Sequence, residues 1–194
     1  MSGHEGHFHN KAAFLDDKER MKGFRAHELI QALPNFSPND SFLDLGAGTG
    51  FFTIPLAGET KGKIFALDSD SKMLERIGEK MIAAGLSNVE RIQADVADIP
   101  LEDGSVRHVV ASLILHEVAD LEAVLAELFR VTEAGGDVAV IEYEEEKTPD
   151  GGPPHHIRLS AEKLTSALEK AGFGDCHTQM IDEKIYLLVA SKTS

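Results

Sequence analysis

The sequence predicts an α/β protein, doubly wound, with helices on both faces of a mostly parallel sheet. Three observations predict it. From Ser41 onward, short runs rich in apolar and β-branched residues alternate with amphipathic stretches of helical period. A glycine-rich turn, Gly46-Ala47-Gly48-Thr49-Gly50, joins the first such strand to the first such helix. Near the end, two strand-like stretches are separated by Asp182-Glu183 alone; this leaves room only for a hairpin, so the last strand runs antiparallel.

Residues 1–10 read as a polar tail. From 11 to about 33 an irregular apolar stripe of Phe14, Leu15, Met21, Phe24, Leu29 and Leu33 predicts a helix, which Pro34 ends. The cluster Ser37-Pro38-Asn39-Asp40 predicts a turn. Strands follow over 41–45, 63–67, 89–94, 106–113 and 137–143. Between them, helices are predicted over about 51–57, over 71–84 with Met73, Leu74, Ile77 and Met81 on one face, and over 120–131 with Leu121, Val124, Leu125 and Leu128 inward. Gly85 ends the second of these, and Gly135-Gly136 is read as closing the third. Ser160 caps a last helix running to Ala171 with Gly172 after it, and the hairpin strands span 176–181 and 184–191.

A chain of 194 residues suits one domain, expected as 1–194. With 33 acidic against 19 basic side chains the net charge is -14, which repels phosphate backbones and anionic membranes and makes nucleic acid an unpromising partner. Cys176 is the single cysteine, so no intrachain disulfide forms and a reducing, cytoplasmic setting is expected. The first ten residues lack the apolar core of a signal peptide, and no apolar run approaches the roughly 20 residues that span a bilayer.

The glycine turn lies where ligands of such sheets bind, and glycine lets the backbone turn sharply and approach a ligand closely. Its spacing is G-x-G-x-G; the dinucleotide pattern needs a glycine at 51, where Phe51 stands. Asp44, two residues before the first glycine, is placed to meet a ligand ammonium. Asp68 ends the second strand, about 20 residues past the loop, where an acid typically grips ribose hydroxyls. Asp95 follows the third strand and offers an acceptor to an adenine amino group. Each acid alone would do as a turn cap; three at the carboxyl ends of successive strands point to one ligand.

The segments LDLGAGTGFF, ALD, QADVADIPLEDGSV and LFRVTEAGGDVAVIEY resemble the class I S-adenosylmethionine-dependent methyltransferases, and among them the small-molecule ubiquinone/menaquinone-methyltransferase-like branch. The resemblance covers about 41–190 and implies a Rossmann-like, seven-stranded sheet with lid helices before it, so that 1–36 is the tail and lid and 37–194 the core. It implies S-adenosylmethionine as cofactor: Asp44, Gly46, Ala47 and Gly48 at its methionine end, Asp68 with Ser69 at the ribose, Met73, Asp95 and Val96 at the adenine. Ser112 and His116 would face the methyl group, and Phe14 and Leu15 would cover the site.

Methyl transfer is an in-line displacement in which the protein aligns the acceptor and excludes water. A proton acceptor helps when the nucleophile carries a proton. His116, just beyond the fourth strand, is the candidate base, the alternative being a histidine that shapes the pocket. Glu117 either orients it or is a solvated acid. A zinc protease motif is excluded because Asp120 stands where H-E-x-x-H needs its second histidine. His155, His156 and Arg158 follow a glycine- and proline-rich loop and are candidates to touch the acceptor. His4, His7 and His9 match no zinc spacing, so no metal is expected. The 142–146 acidic run reads as a solvated turn and Cys176 as a small buried hydrophobe. The fourth strand lacks the Asn-Pro-Pro-Tyr type motif of base and glutamine amino methylation. A small-molecule acceptor is therefore expected, and a non-catalytic S-adenosylmethionine-binding sensor is the alternative.

Overall fold

The computed structural model describes residues 24–34, 36–145 and 152–193. The elements run α1 (Ala26–Ala32), β1 (Phe42–Leu45), α2 (Thr53–Glu59), β2 (Ile64–Asp68), α3 (Ser71–Ala84), β3 (Val89–Gln93), β4 (Val106–Ser112), α4 (Leu121–Val131), β5 (Thr132–Tyr143), α5 (Ala161–Ala171), β6 (Gly174–Met180) and β7 (Ile185–Ser191). Single 3-10 turns stand at Leu115–Glu117 and His155–Ile157. The seven strands form one sheet in the order β3-β2-β1-β4-β5-β7-β6. The first five run parallel, and β7 is antiparallel to both β5 and β6. The expected doubly wound sheet with an antiparallel ending is the one present.

Strand alternation builds the two faces. On β7, Tyr186, Leu188 and Ala190 face α4 and α5, whereas Leu187 and Val189 join Leu29, Phe52 and Leu56 on the other side. β4 and β5 are buried on both faces and read as near-continuous apolar runs for that reason. The edge strand β3 is mostly exposed and carries Glu90 and Arg91, charges that discourage pairing with another chain. Helix caps follow the sequence: Asp70, Asp120 and Ser160 accept N–H groups of the first turns of α3, α4 and α5, and Gly85 and Gly172 close α3 and α5 in the left-handed conformation. Among the described residues no helix is long and apolar enough to cross a membrane.

Several expectations need correction. Of the helix expected over 11–33, residues up to 23 lie outside the described residues; the described part is Ala26–Ala32. α2 spans Thr53–Glu59, shifted two residues along the chain from the expected span at the same length of seven residues. Gly135 and Gly136 do not close α4, which already ends at Val131; they lie within β5. The reason is steric: a Cβ at Gly136 would stand 2.4 Å from the Arg107 carbonyl oxygen on β4. Cys176 is half-buried on β6 and only partly packed on the core; burial, with Glu169 and Asp175 adding, pushes its thiol pKa up.

At the amino-terminal end of the strands His108 is fully buried between two carboxylates. Its Nε2 lies 3.0 Å from Asp40 Oδ2, and its Nδ1 lies 3.3 Å from Asp137 Oδ2 without hydrogen-bond alignment. Ser191 donates to the other oxygen of Asp137 at 2.7 Å. The cluster ties the turn before β1 to β4, β5 and β7 at the end of the sheet opposite the glycine turn.

The Gly136 contact gives a direct check. Gly136→Ala forces β4 and β5 apart, and overpacking of this kind costs about 1–3 kcal/mol. Urea unfolding followed by circular dichroism should show a lowered midpoint; an unchanged midpoint contradicts the close approach.

Candidate functional site

The strand order reverses between β1 and β4, and ligands of open α/β sheets bind beyond the carboxyl ends of strands at such a switch. A cavity opens there, lined from β1 and its turn by Asp44, Gly46, Ala47, Gly48 and Thr49, and from β2 by Asp68, Ser69 and Asp70. Met73, Val96 and the stretch Ser112-Leu113-Ile114 close it, with Phe51, Phe52 and Glu117 at its borders.

The turn is built from backbone that side chains rarely permit. Gly46, Gly48 and Gly50 have φ of 65°, 54° and 84°, the left-handed region in which glycine carries no Cβ penalty. Gly46 is also crowded, since a Cβ there would stand 2.7 Å from Ile114 Cγ1. Asp68 pins the turn: its Oδ2 accepts the Gly48 N–H at 2.8 Å and its Oδ1 accepts the Asp70 N–H at 2.9 Å. Asp44 is buried and accepts from Thr53 Oγ1 at 2.5 Å. Two buried hydroxyl oxygens at the cavity, Thr49 Oγ1 and Ser112 Oγ, have no hydrogen-bond partner among the described residues. Buried polar atoms are almost always partnered, so orphans at a cavity mark places for ligand polar groups. Glycine backbone, acids and orphan hydroxyls along one groove fit a nucleoside that carries an amino acid tail.

Beyond β4 the chain turns at Leu113, a non-glycine residue with φ of 55°, a conformation worth about 1–3 kcal/mol of strain. That bend brings Ile114 onto Gly46 and leads into the turn that holds His116. The His116 ring is 6% exposed, and its Nδ1 lies 2.7 Å from Glu142 Oε2. The His116 N–H donates to Glu142 Oε1 at 3.3 Å. Burial of the ring opposes its protonation, but the hydrogen bond and charge of Glu142, with Glu117 adding and Arg158 opposing, outweigh it, so the pKa stands above that of an ordinary imidazole.

The structure thus brings Asp44, Gly46, Ala47, Gly48, Asp68, Ser69, Met73, Val96 and Ser112 to one cavity. Asp95 does not line it; its exposed carboxylate accepts the Ala97 N–H at 2.9 Å. His116 does not line it either; its Nε2 lies 3.9 Å from Oε1 of Glu117, which does. His155 and His156 are exposed and line no part of the cavity. Arg158 is buried, with its guanidinium 5.6 Å from the Tyr143 ring centroid and its Nε donating to the Pro153 carbonyl. Phe14, Leu15 and the three amino-terminal histidines lie outside the described residues. Among the described residues no group of three or more His, Cys, Asp or Glu is placed to hold a metal ion.

Sequence reasoning missed Glu142, read as part of a solvated turn. It is fully buried on β5. The signal was its place between Ile141 and Tyr143 at the end of an apolar run, which separates it from the acids that follow. Phe51 and Phe52 were missed as cavity residues because they sit just past the glycines and read as the start of a helix.

Residues 42–136 match a family model described as a methyltransferase domain. A demethylmenaquinone methyltransferase of Geobacillus stearothermophilus is 32% identical over 141 residues, covering 70% of this chain and 60% of that protein. A ubiquinone/menaquinone biosynthesis C-methyltransferase of Francisella tularensis subsp. novicida is 32% identical over 146 residues, covering 71% and 58%. The chain therefore spans three fifths or less of these relatives' lengths. A crystal structure of a SAM dependent methyltransferase from Aquifex aeolicus superposes with a TM-score of 0.84 at 28% identity, covering 94% of this chain and 97% of that one.

The role of Asp68 in holding the turn sets an expectation. Asp68→Ala removes a charged acceptor of two N–H groups, worth about 1.5–3 kcal/mol for a bond of this kind, or roughly 10–100-fold in affinity. Calorimetric titration should show S-adenosylhomocysteine binding weakened by that factor; undiminished affinity contradicts the assignment.

Proposed function

The chain belongs to the class I S-adenosylmethionine-dependent methyltransferases, in the ubiquinone/menaquinone-methyltransferase-like branch, and from that premise we propose that it transfers a methyl group to a small organic acceptor. The observation that carries this reading is the meeting, at the switch point of the sheet, of the glycine turn with the end of β4 and the His116 turn. When bound, the cofactor supplies a methyl group already activated on a sulfonium. In this reading Asp44, Gly46, Ala47 and Gly48 would hold the amino acid end. Asp68 and Ser69 would hold the ribose, and Met73 and Val96 the adenine face. Asp95, outside the lining but next to the lining Val96, would approach the adenine edge, and the Ser112 hydroxyl would turn toward the reacting end.

The chain's own work is then alignment, water exclusion and proton handling. Leu113 and Ile114 give the acceptor an apolar wall beside the glycine turn. His116 is proposed as the proton acceptor, and Arg158, seated on Tyr143, as the anchor of the 152–158 segment over the acceptor side. Substrate contacts from Phe14, His155 and His156 belong to the same proposal, as does the division into a lid over 1–36 and a core over 37–194. Quinone-like rings head the acceptor panel because two relatives are named for them.

The test is turnover. The chain, incubated with S-adenosylmethionine and a panel of hydroxylated naphthalenes and benzenes, should release S-adenosylhomocysteine with at least one acceptor. His116→Ala should lower kcat by about 100-fold or more, the usual worth of a general base, with S-adenosylhomocysteine affinity unchanged. Tight cofactor binding with no turnover of any acceptor would instead describe a sensor.

A further inference from the structure

Glu142 has no exposed surface, and an ionised carboxylate in such a place persists only where charge and hydrogen bonds compensate it. All hydrogen bonds of its carboxylate among the described residues come from His116 and Tyr143. It takes the His116 Nδ1 at 2.7 Å, the His116 N–H at 3.3 Å and the Tyr143 N–H at 3.4 Å. A histidine whose Nδ1 meets a carboxylate keeps its proton there, as in acid-histidine pairs generally. Nε2 then carries the lone pair. It points to the side of Glu117, whose Oε1 is 3.9 Å away and which lines the cavity.

We infer that Glu142 is the positioning residue of a proton-accepting pair with His116, and that this pair selects acceptors which enter the cavity neutral and still carrying their proton, as a phenolic or enolic hydroxyl does. The inference rests on the methyl-transfer reading above. A second observation supports the choice of acceptor. With Asp44 and Asp68 taken up by the cofactor in that reading, Glu117 is the lining acid beside His116, and no lysine or arginine is among the cavity's described lining residues, so a preformed anion meets no countercharge there. Phe51, Leu113 and Ile114 supply apolar surface for a ring.

The step balances. The acceptor oxygen forms its bond to the methyl carbon as the carbon–sulfur bond breaks with its electron pair on sulfur, and the hydroxyl proton passes to Nε2. One positive charge leaves the sulfur and one appears on the imidazole, so the net charge of the site is unchanged. The groups facing that imidazolium are Glu142 from β5, Glu117 from its own turn and Arg158 from the segment before α5. The two carboxylates favour it, Arg158 opposes it, and the balance lies with the carboxylates. Activity accordingly rises with pH as the imidazolium gives up its proton.

The test observes the ring nitrogens of His116 by NMR on the full, nitrogen-15-labelled chain saturated with S-adenosylhomocysteine, across pH, beside rate measurements with naphthol and nitrophenol as acceptors. The neutral ring should carry its proton on Nδ1. Glu142→Gln should lower the His116 pKa by about one unit, the scale of a lost ion pair, and shift the acid limb of kcat/KM down with it. It should reduce kcat for naphthol by about 100-fold with KM little changed. Glu142→Asp should keep the Nδ1–H tautomer and restore part of the rate. Naphthol should be methylated at least about tenfold faster than nitrophenol, which is largely anionic at neutral pH. A wild-type ring protonated on Nε2, or a Glu142→Gln variant with unchanged pKa and kcat, overturns the positioning role. Methylation of nitrophenol in preference, or of neither probe, overturns the acceptor class. Should Glu142→Gln fail to fold, the wild-type tautomer and Glu142→Asp decide. Failure of S-adenosylhomocysteine to bind in the same samples would strike the methyl-transfer reading itself, whereas binding with the wrong tautomer strikes this inference alone.

Discussion

The hydrogen bond from the Gly48 N–H to the Asp68 carboxylate is the contact on which the rest of the site depends. It joins the turn after β1 to the end of β2, and the Ala47 N–H to the Leu67 carbonyl, 2.9 Å, repeats the tie one residue earlier. The turn so held leaves Gly46 open to Ile114, which the left-handed Leu113 brings down from the end of β4. Three connections from three adjacent strands therefore interlock, and a shift in one moves the others.

Two buried histidines show how the same chemistry serves different ends. His108 lies at the amino-terminal end of the sheet, fully buried, with both ring nitrogens faced by carboxylates. His116, past the carboxyl end of β4, has one nitrogen taken by Glu142 and the other 3.9 Å from Oε1 of Glu117, a residue that lines the cavity. Each ring has two carboxylates near it; the difference lies in the end of the strand, and in Glu117 being exposed and lining the cavity whereas Asp40 and Asp137 are not among its lining residues. It is the reason His108 reads as a tie between strands and His116 as part of a reaction site.

Much of this was legible in the sequence, and for identifiable reasons. Helix caps and strand alternation are local, so Asp70, Asp120, Ser160 and the β7 pattern could be read one element at a time. The glycine spacing and the acids at the ends of β1 and β2 are also local, because the turn itself requires them. What escaped depends on contacts between distant segments. Glu142 looks solvated beside the acids that follow it, and only the return of the Leu115–Glu117 turn onto β5 buries it. Gly136 is explained by the Arg107 carbonyl on the neighbouring strand rather than by the helix before it. Leu113 has no signature of its bend, and Asp95, alike in position to Asp68, points instead to its own turn.

The most direct measurement is calorimetric titration of the purified chain with S-adenosylhomocysteine, with NADH run in parallel. Binding of S-adenosylhomocysteine in the micromolar range, with NADH inert, is the result this account predicts. Tight binding of NADH with S-adenosylhomocysteine inert would contradict it, because the G-x-G-x-G turn and the acids around it would then be serving a dinucleotide.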